Sequence, residues 1–228
     1  PFYSRRIFAN LFFFVPFNEL SNQYSHFAIG LIHLFTLGIL SMIIFGAMQQ
    51  MMPVLAGAII KQPKLFANIV HSCLVLGTLF LSFSFILGIK FLLHIAVLFL
   101  SIAFLTFFIL SINLLFNVKY LTSTVKAMRL FSIAGIITLC FGLYLATSHT
   151  NLNFDENYYI FVFLHILFAS FGFALLIIMD VSFQVIPMFY VALDFPKFIQ
   201  NKTPLILFVL LFVSAIFFYF GMNFLILK

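Results

Sequence analysis

Apolar residues occur in six long blocks along the chain, and polar residues are concentrated in the short stretches between them. The blocks cover residues 27–52, 65–88, 91–117, 128–147, 157–182 and 204–226. Each block is about as long as the roughly 20-residue helix that crosses a bilayer. The blocks lack the alternating polarity of membrane β-strands. Because backbone polar groups must be paired within lipid, the pattern predicts an all-α, polytopic transmembrane helix bundle with about six spans.

The composition supports a membrane protein and excludes several other classes. Apolar residues make up 65% of the chain, charged residues only 7%, and the mean hydropathy is +1.26, which a soluble domain with a solvated surface cannot have. The predicted partner is therefore the lipid bilayer. The net charge of +6 is accounted for by topology and anionic lipid, so no nucleic-acid partner is expected. No phosphate-binding glycine loop, zinc-protease motif or nucleophile elbow is present, which argues against kinase or hydrolase chemistry.

The chain divides into a lead-in and one bundle. The apolar run in PFYSRRIFANLFFFVPF is short and flanked by Arg5 and Arg6, so residues 1–24 are predicted to lie at the membrane interface, as a processed or truncated end. Residues 25–228 are predicted to form a single transmembrane bundle. Cys73 and Cys140 fall in different spans and are interpreted as small apolar fillers rather than a disulfide.

Lysine and arginine residues are distributed unequally between the two ends of the predicted helices. One end collects Lys61, Lys64, Lys119, Lys126, Arg129, Lys197 and Lys202. The other end collects Arg5, Arg6, Lys90 and Lys228, together with the acids Glu19, Asp155 and Glu156. Since positively charged loops are retained in the cytoplasm, the first set is predicted to face the cytoplasm. We therefore expect a multi-pass protein of a bacterial inner membrane, with the N- and C-termini outside.

Three histidines are predicted to lie at a similar depth on three different helices. His33, His94 and His165 each fall one or two turns from the outer end of an odd-numbered span, roughly 5 to 12 Å below the interface at 1.5 Å per residue. His71 enters its span from the opposite side. Ionisable residues inside a membrane are candidates for function, so the three are predicted to bind a cofactor or metal. The alternative is that each one hydrogen-bonds a neighbouring helix.

Small residues next to these histidines favour a flat ligand. Gly30 lies one turn from His33, and Ala169 and Gly172 follow His165 on its own face. A porphyrin needs such room, and it needs a neutral imidazole nitrogen to ligate iron. Close helix packing is the alternative explanation for these small residues.

A weak internal repeat relates the first and fifth spans. The segments GILSMIIFGAMQQMMPV (38–54) and GFALLIIMDVSFQVIPM (172–188) align without gaps, with matches that include Gly38 to Gly172, Gln50 to Gln184 and Pro53 to Pro187. The two copies lie four helices apart and therefore run in the same direction, as in a parallel repeat. His33 and His165 precede the aligned segments by similar distances.

The same segments resemble a known membrane family. HLFTLGILSMIIFGAMQQMMPVLAG and LHILFASFGFALLIIMDVSFQVIPMFY are similar to helices of the haem-copper oxidases related to cytochrome c oxidase subunit I, and of the haem-containing membrane proteins of the nitric-oxide response. The resemblance covers residues 33–57 and 164–190 best, and rests on a histidine followed by glycine, then glutamine or tyrosine, then proline. It implies haem b, held by helix histidines in the outward-facing third of the membrane.

The departures from that family limit what the resemblance implies. The oxygen-reducing centre would require a His-His pair, a late His-x-His and a tyrosine near a copper ligand, and the chain has none of these motifs. Six spans are also half the usual number. The expected function is therefore binding of haem, or of a transition metal such as copper, for electron transfer, gas sensing or cofactor handling rather than a complete oxidase. A respiratory-chain or redox protein is an expected partner, and an oligomer is left open.

Other polar positions keep alternatives open. Met48 and Met52 are spaced for a soft Cu(I) site, or they fill the core. Asp180 is interpreted as a proton relay, as a partner of Lys61 or Lys64, or as a side chain that reaches the interface.

Two Gln-Pro pairs support a second interpretation of function. Gln50 with Pro53, and Gln184 with Pro187, are predicted to distort both helices near the inner face. Helix breaks at matched positions of a repeat are typical of transporters. A small-solute or copper transporter is therefore the first alternative function, and a structural subunit of a respiratory complex is the second.

Overall fold

The computed structural model describes residue 22, residues 24–151 and residues 157–226, with side chains up to Gly221. Most of the predicted lead-in lies outside this part of the chain. Six of the charged residues that were assigned to the outer end of the bundle also lie outside the described part; only Lys90 lies within it. The six are Arg5, Arg6, Glu19, Asp155, Glu156 and Lys228.

Six helices form the described part of the chain, which contains no strand. They are α1 (His26–Ala56), α2 (Pro63–Leu87), α3 (Lys90–Phe116), α4 (Ser123–Asn151), α5 (Tyr158–Tyr190) and α6 (Lys197–Ile226). All six are long and apolar enough to cross a membrane. The predicted all-α bundle with six spans is confirmed.

Two helices begin well before the apolar blocks because polar residues continue them. α4 begins at Ser123, five residues before the predicted span, and takes in Lys126, and α6 begins at Lys197, seven residues before the predicted span. α1 continues through Pro53 and ends at Ala56, and the next residue, Gly57, has a φ of 64°, the left-handed conformation that stops a helix. Pro53 and Pro187 both lie inside α-helix, each three residues before its last residue, and the predicted distortion of the helices there stays a prediction.

Both α1 and α5 instead depart from α-helical geometry in their middle. A π-helical segment covers Thr36–Ser41 in α1 and Phe168–Leu175 in α5. In each helix, ten α-helical residues precede the π segment and fifteen follow it. The repeat is therefore visible in the fold. The π segment of α5 is two residues longer than that of α1. When the segments after it are aligned without a gap, His33 and His165 are therefore two positions out of register.

A cluster of phenylalanine rings forms the core of the bundle. α2 packs on α3, α3 on α4, and α4 on α5, while the second half of α1 closes the core. Rings from four of these helices meet, with centroids of Phe45 and Phe107 3.9 Å apart and those of Phe45 and Phe173 5.9 Å apart. The helices approach closely where glycine permits it, as at Gly135, which faces the ring of Phe108. The core therefore lies between α1, α3, α4 and α5.

The outer surface of the bundle is apolar, as expected for contact with lipid. Large apolar side chains such as Leu98, Ile109 and Phe217 are between 59% and 74% exposed. Cys73 and Cys140 are free thiols; Cys73 is half-buried, whereas Cys140 is exposed and does not fill the core as predicted. Since lipid tails rather than water solvate such a surface, the exposed side chains are consistent with contact with the bilayer.

Candidate functional site

His33 and His165 meet between α1 and α5. Their ring centroids are 6.2 Å apart and their planes differ by 18°. Each histidine lies seven residues after the first residue of its own helix and three residues before its π segment. The two histidines are thus equivalent positions of the repeat. Equivalent residues of two copies face each other when the copies are related by a two-fold axis, and the facing of His33 and His165 is consistent with such a relation.

The backbone orients both imidazoles in the same way. Nδ1 of His33 donates to the carbonyl of Ile29 at 2.8 Å, and Nδ1 of His165 donates to the carbonyl of Thr138 at 3.1 Å. A carbonyl oxygen only accepts, so the proton of each ring lies on Nδ1 and the lone pair on Nε2. A carbonyl on the other ring nitrogen is the usual support for a metal-ligating histidine. Both rings are therefore prepared to donate an Nε2 lone pair.

Two further residues support the ring positions. The ring of Phe85 on α2 lies nearly parallel to that of His33, with centroids 6.4 Å apart. On α4, Gly142 lies against His165, and a Cβ added there would be 3.1 Å from Cε1 of the imidazole. Each histidine is therefore held from a third helix, which restricts the movement of its ring.

Neighbouring helices fill the space that was predicted beside two of the small residues, Gly30 and Gly172. A Cβ on Gly30 would be 3.0 Å from Cγ1 of Ile86, and one on Gly172 would be 2.8 Å from the Cβ of Ala134. Both glycines therefore serve close helix packing, which was the alternative explanation. Room for a planar ligand therefore has to lie between α1 and α5. The first half of α1 packs mainly on α2, and the first half of α5 packs mainly on α4 and α6.

The third predicted ligand, His94, is not brought to this pair. Its side chain is exposed on α3, and its Nδ1 donates to the carbonyl of Lys90 at 3.0 Å. Across the described ranges, no group of three or more histidine, cysteine, aspartate or glutamate side chains could hold a metal ion. The prediction that three histidines converge is not supported, and the candidate site has two imidazoles.

Met48 and Met52 lie in the phenylalanine core and not on a path. They are 1% and 0% exposed and pack within the main apolar cluster.

Asp180 is also buried, at 1% exposure, so it does not reach the interface. In the part of the chain that the structure describes, its Oδ2 has no hydrogen-bond partner and it forms no ion pair with Lys61 or Lys64. It lies fifteen residues beyond His165, about 22 Å along the helix, and is separate from the pair.

A second polar cluster, which we call the mouth cluster, lies at the end of the bundle nearest the pair. It consists of His26, Phe85, His149 and Tyr158. The rings of His26 and His149 are 5.8 Å apart, and the hydroxyl of Tyr158 lies 2.7 Å from Nε2 of His149. Phe85 contacts both of these histidines as well as His33. The mouth cluster therefore connects the bundle end to the pair.

Sequence reasoning missed the mouth cluster. His26 lies seven residues before His33, which places both on one helix face. His149 lies beyond the predicted block, which ends at residue 147, whereas α4 continues to Asn151. The spacing of His26 and His33 was the available signal.

The spacing of the pair suits a single metal atom. A metal–nitrogen bond of about 2.0 Å plus half the width of the ring puts an imidazole centroid roughly 3.2 Å from the metal, so two opposed ligands have centroids about 6.3 Å apart. The observed 6.2 Å agrees with that value. With this spacing, the Nε2 atoms of His33 and His165 would be the groups that hold a haem iron or a Cu(I) ion, if the two atoms are directed at a common point.

Comparisons with protein-family models, curated proteins and solved structures found no match for this chain. Functional inference therefore rests on the geometry of the pair and on the composition of the bundle.

Proposed function

We propose that this chain is a multi-pass membrane protein that binds a haem b iron between His33 and His165 and transfers electrons. A bare copper ion is the alternative occupant of the same site. The observation that carries the proposal is the pair itself: two repeat-equivalent imidazoles at 6.2 Å, each with Nδ1 on a backbone carbonyl. The proposal includes a distant relationship to the haem-copper oxidases, without their oxygen-reducing centre.

Electron transfer is favoured over gas sensing by the number of protein ligands. If His33 and His165 both held a haem iron, no protein-free position would remain on the iron for a gas. When bound, the haem supplies one-electron redox chemistry. The chain contributes ring orientation through the carbonyls of Ile29 and Thr138 and an apolar wall that includes Phe85. Such a low-polarity shell is one of the features that set the redox potential of a haem.

The proposed setting follows from the charge distribution. Lysine residues such as Lys61, Lys64 and Lys119 lie at the bundle end opposite the mouth cluster. If that end faces the cytoplasm of a bacterial inner membrane, the pair lies in the outer leaflet. A redox partner would then approach from the outside, where His26 is exposed.

Ligand substitution tests the proposal. We expect His33→Ala and His165→Ala each to lose bound haem, because one remaining histidine would hold the iron far less tightly than two. His94→Ala and His71→Ala are matched controls, since both residues are exposed on the same bundle and neither is part of the pair. The readout is the absorbance of haem per purified chain, with gel filtration to confirm folding. Haem retained in both ligand variants would contradict the proposal.

A transporter is the second candidate function, and the paired π segments favour it. Thr36–Ser41 and Phe168–Leu175 interrupt α-helical geometry at equivalent positions of a parallel repeat, as helix interruptions do in transporters. This alternative predicts solute or copper uptake by reconstituted vesicles and no visible chromophore. Uptake that is insensitive to His33→Ala would separate it from metal binding at the pair. A purely structural subunit predicts neither chromophore nor uptake.

A further inference from the structure

A cavity of about 440 Å³ opens at the bundle end opposite the mouth cluster. It lies where α3 ends and where α4 and α6 begin. Three cationic side chains line it, Lys126 and Arg129 from α4 and Lys202 from α6. No acidic side chain is among the residues lining it. The cavity therefore offers concentrated positive charge at the level of the membrane interface.

Arg129 is fixed in this cavity by the end of α3. Its Nε and Nη2 donate to the carbonyl of Leu115 at 3.1 and 2.8 Å, and its guanidinium lies over the ring of Phe116 at 4.3 Å. A guanidinium has five N–H donors, so three remain after these two bonds. The side chain is thus oriented before any ligand binds, which reduces the entropy lost on binding.

An apolar wall continues from the cations toward the membrane interior. On α4, Leu130 and Ile133 follow Lys126 at four and seven residues, which places all three on one helix face. On α6, Leu205 follows Lys202 at three residues and is exposed. Charge at the interface with apolar side chains directly above it is complementary to a phospholipid, whose phosphate and acyl chain have the same order.

We propose that this cavity binds an anionic phospholipid from the inner leaflet. The phosphate contacts Lys126, Arg129 and Lys202, and an acyl chain lies along Leu130, Ile133 and Leu205. Basic pockets between transmembrane helices on the cytoplasmic side are sites of this kind. A zwitterionic lipid such as phosphatidylcholine is a weaker ligand, because its positive choline group is repelled by the charges of Lys126, Arg129 and Lys202. The lipid links α4 to α6, which otherwise meet at this end through the hydrogen bond between Ser123 and Gln200.

Native mass spectrometry of the full chain tests this site. The probes are phosphatidylglycerol and cardiolipin, with phosphatidylcholine as the zwitterionic comparison and inorganic phosphate as the headgroup without a chain. We expect one anionic lipid to be retained in preference to phosphatidylcholine. Lys126→Gln with Lys202→Gln should weaken that binding roughly 30-fold, from the loss of two interfacial cations. Arg129 is left unchanged because its bonds to Leu115 also support the helix packing.

The matched control removes the same charge from the same end of the bundle. Lys61→Gln with Lys64→Gln changes two exposed lysines outside the cavity, and it should leave lipid retention within about twofold of wild type if the site is local. Equal loss in both double variants would overturn the proposal in favour of general surface charge. Equal retention of phosphatidylcholine, or full competition by millimolar inorganic phosphate, would also overturn it.

Discussion

Replacing Gly135 by alanine tests the packing that positions α4, and with it the support of His165. The added Cβ would lie 2.6 Å from both Cε1 and Cε2 of Phe108 and closer still to Cζ. Ordinary contact begins at 3.4 Å, so the ring or the helix must move by about 1 Å or more. The ring of Phe108 is fully buried and contacts Phe45, Phe131 and Phe173. A ring held on several sides cannot turn away without disturbing these neighbours.

The expected loss of stability follows from two opposing effects. Overpacking of a core costs about 1 to 3 kcal/mol, and occasionally more. Alanine is a better helix former than glycine by about 1 kcal/mol, which offsets part of that cost. Because the overlap in this case is severe, we expect Gly135→Ala to lower the free energy of unfolding by about 2 kcal/mol.

Unfolding in mixed micelles with increasing SDS, followed by circular dichroism at 222 nm, measures this loss. Gly46→Ala is the control, because a Cβ on Gly46 meets nothing within 4 Å, and we expect it to leave stability unchanged or slightly raised. In a Phe108→Ala background the cost of Gly135→Ala should disappear, since the two residues are in contact. Unchanged stability of Gly135→Ala, or the same loss with and without Phe108, would refute the packing described above.

Three further predictions concern the site and the topology. Gly142→Ala should displace the imidazole of His165 by a few tenths of an ångström, so that the haem absorbance or midpoint potential changes while the fold is kept; an unchanged spectrum would argue against ligation there. Tyr158→Phe should cost about 1 kcal/mol of stability by removing a hydrogen bond, with haem content unaffected; loss of haem would place this residue in the site. In a chain without native cysteines, Thr150→Cys should react with an impermeant maleimide added to intact cells and Lys61→Cys should not; the reverse labelling would invert the proposed orientation.

The number and type of helices could be predicted from the sequence because lipid imposes a simple rule. A run of about 20 apolar residues must be helical to satisfy its backbone. The ends of the helices were harder to predict, since Lys126 is charged yet lies inside α4, two residues before the predicted span. A long lysine side chain at a helix end can reach polar surroundings. Apolarity therefore locates the middle of each helix better than its ends.

The sequence predicted how deep in the bundle each histidine lies, but not the direction in which its side chain points. Counting residues placed His33, His94 and His165 at similar levels, but the rotation of each helix, which packing decides, turns His94 outward. The π segments were also not readable from the sequence, because no residue type specifies them. The two-residue difference in their lengths shifts His33 and His165 relative to the aligned later parts of α1 and α5. The repeat was the one sequence signal that anticipated this pairing.

The most direct test of metal binding at the pair is the visible spectrum of the purified wild-type chain, oxidised and then reduced with dithionite. A pyridine haemochrome assay and metal analysis should be made on the same sample, from cells replete in haem. We expect a sharp reduced α-band and about one haem b per chain, which His33 and His165 would hold. A colourless chain that carries neither haem nor copper would contradict the proposal and leave His33 and His165 as packing residues.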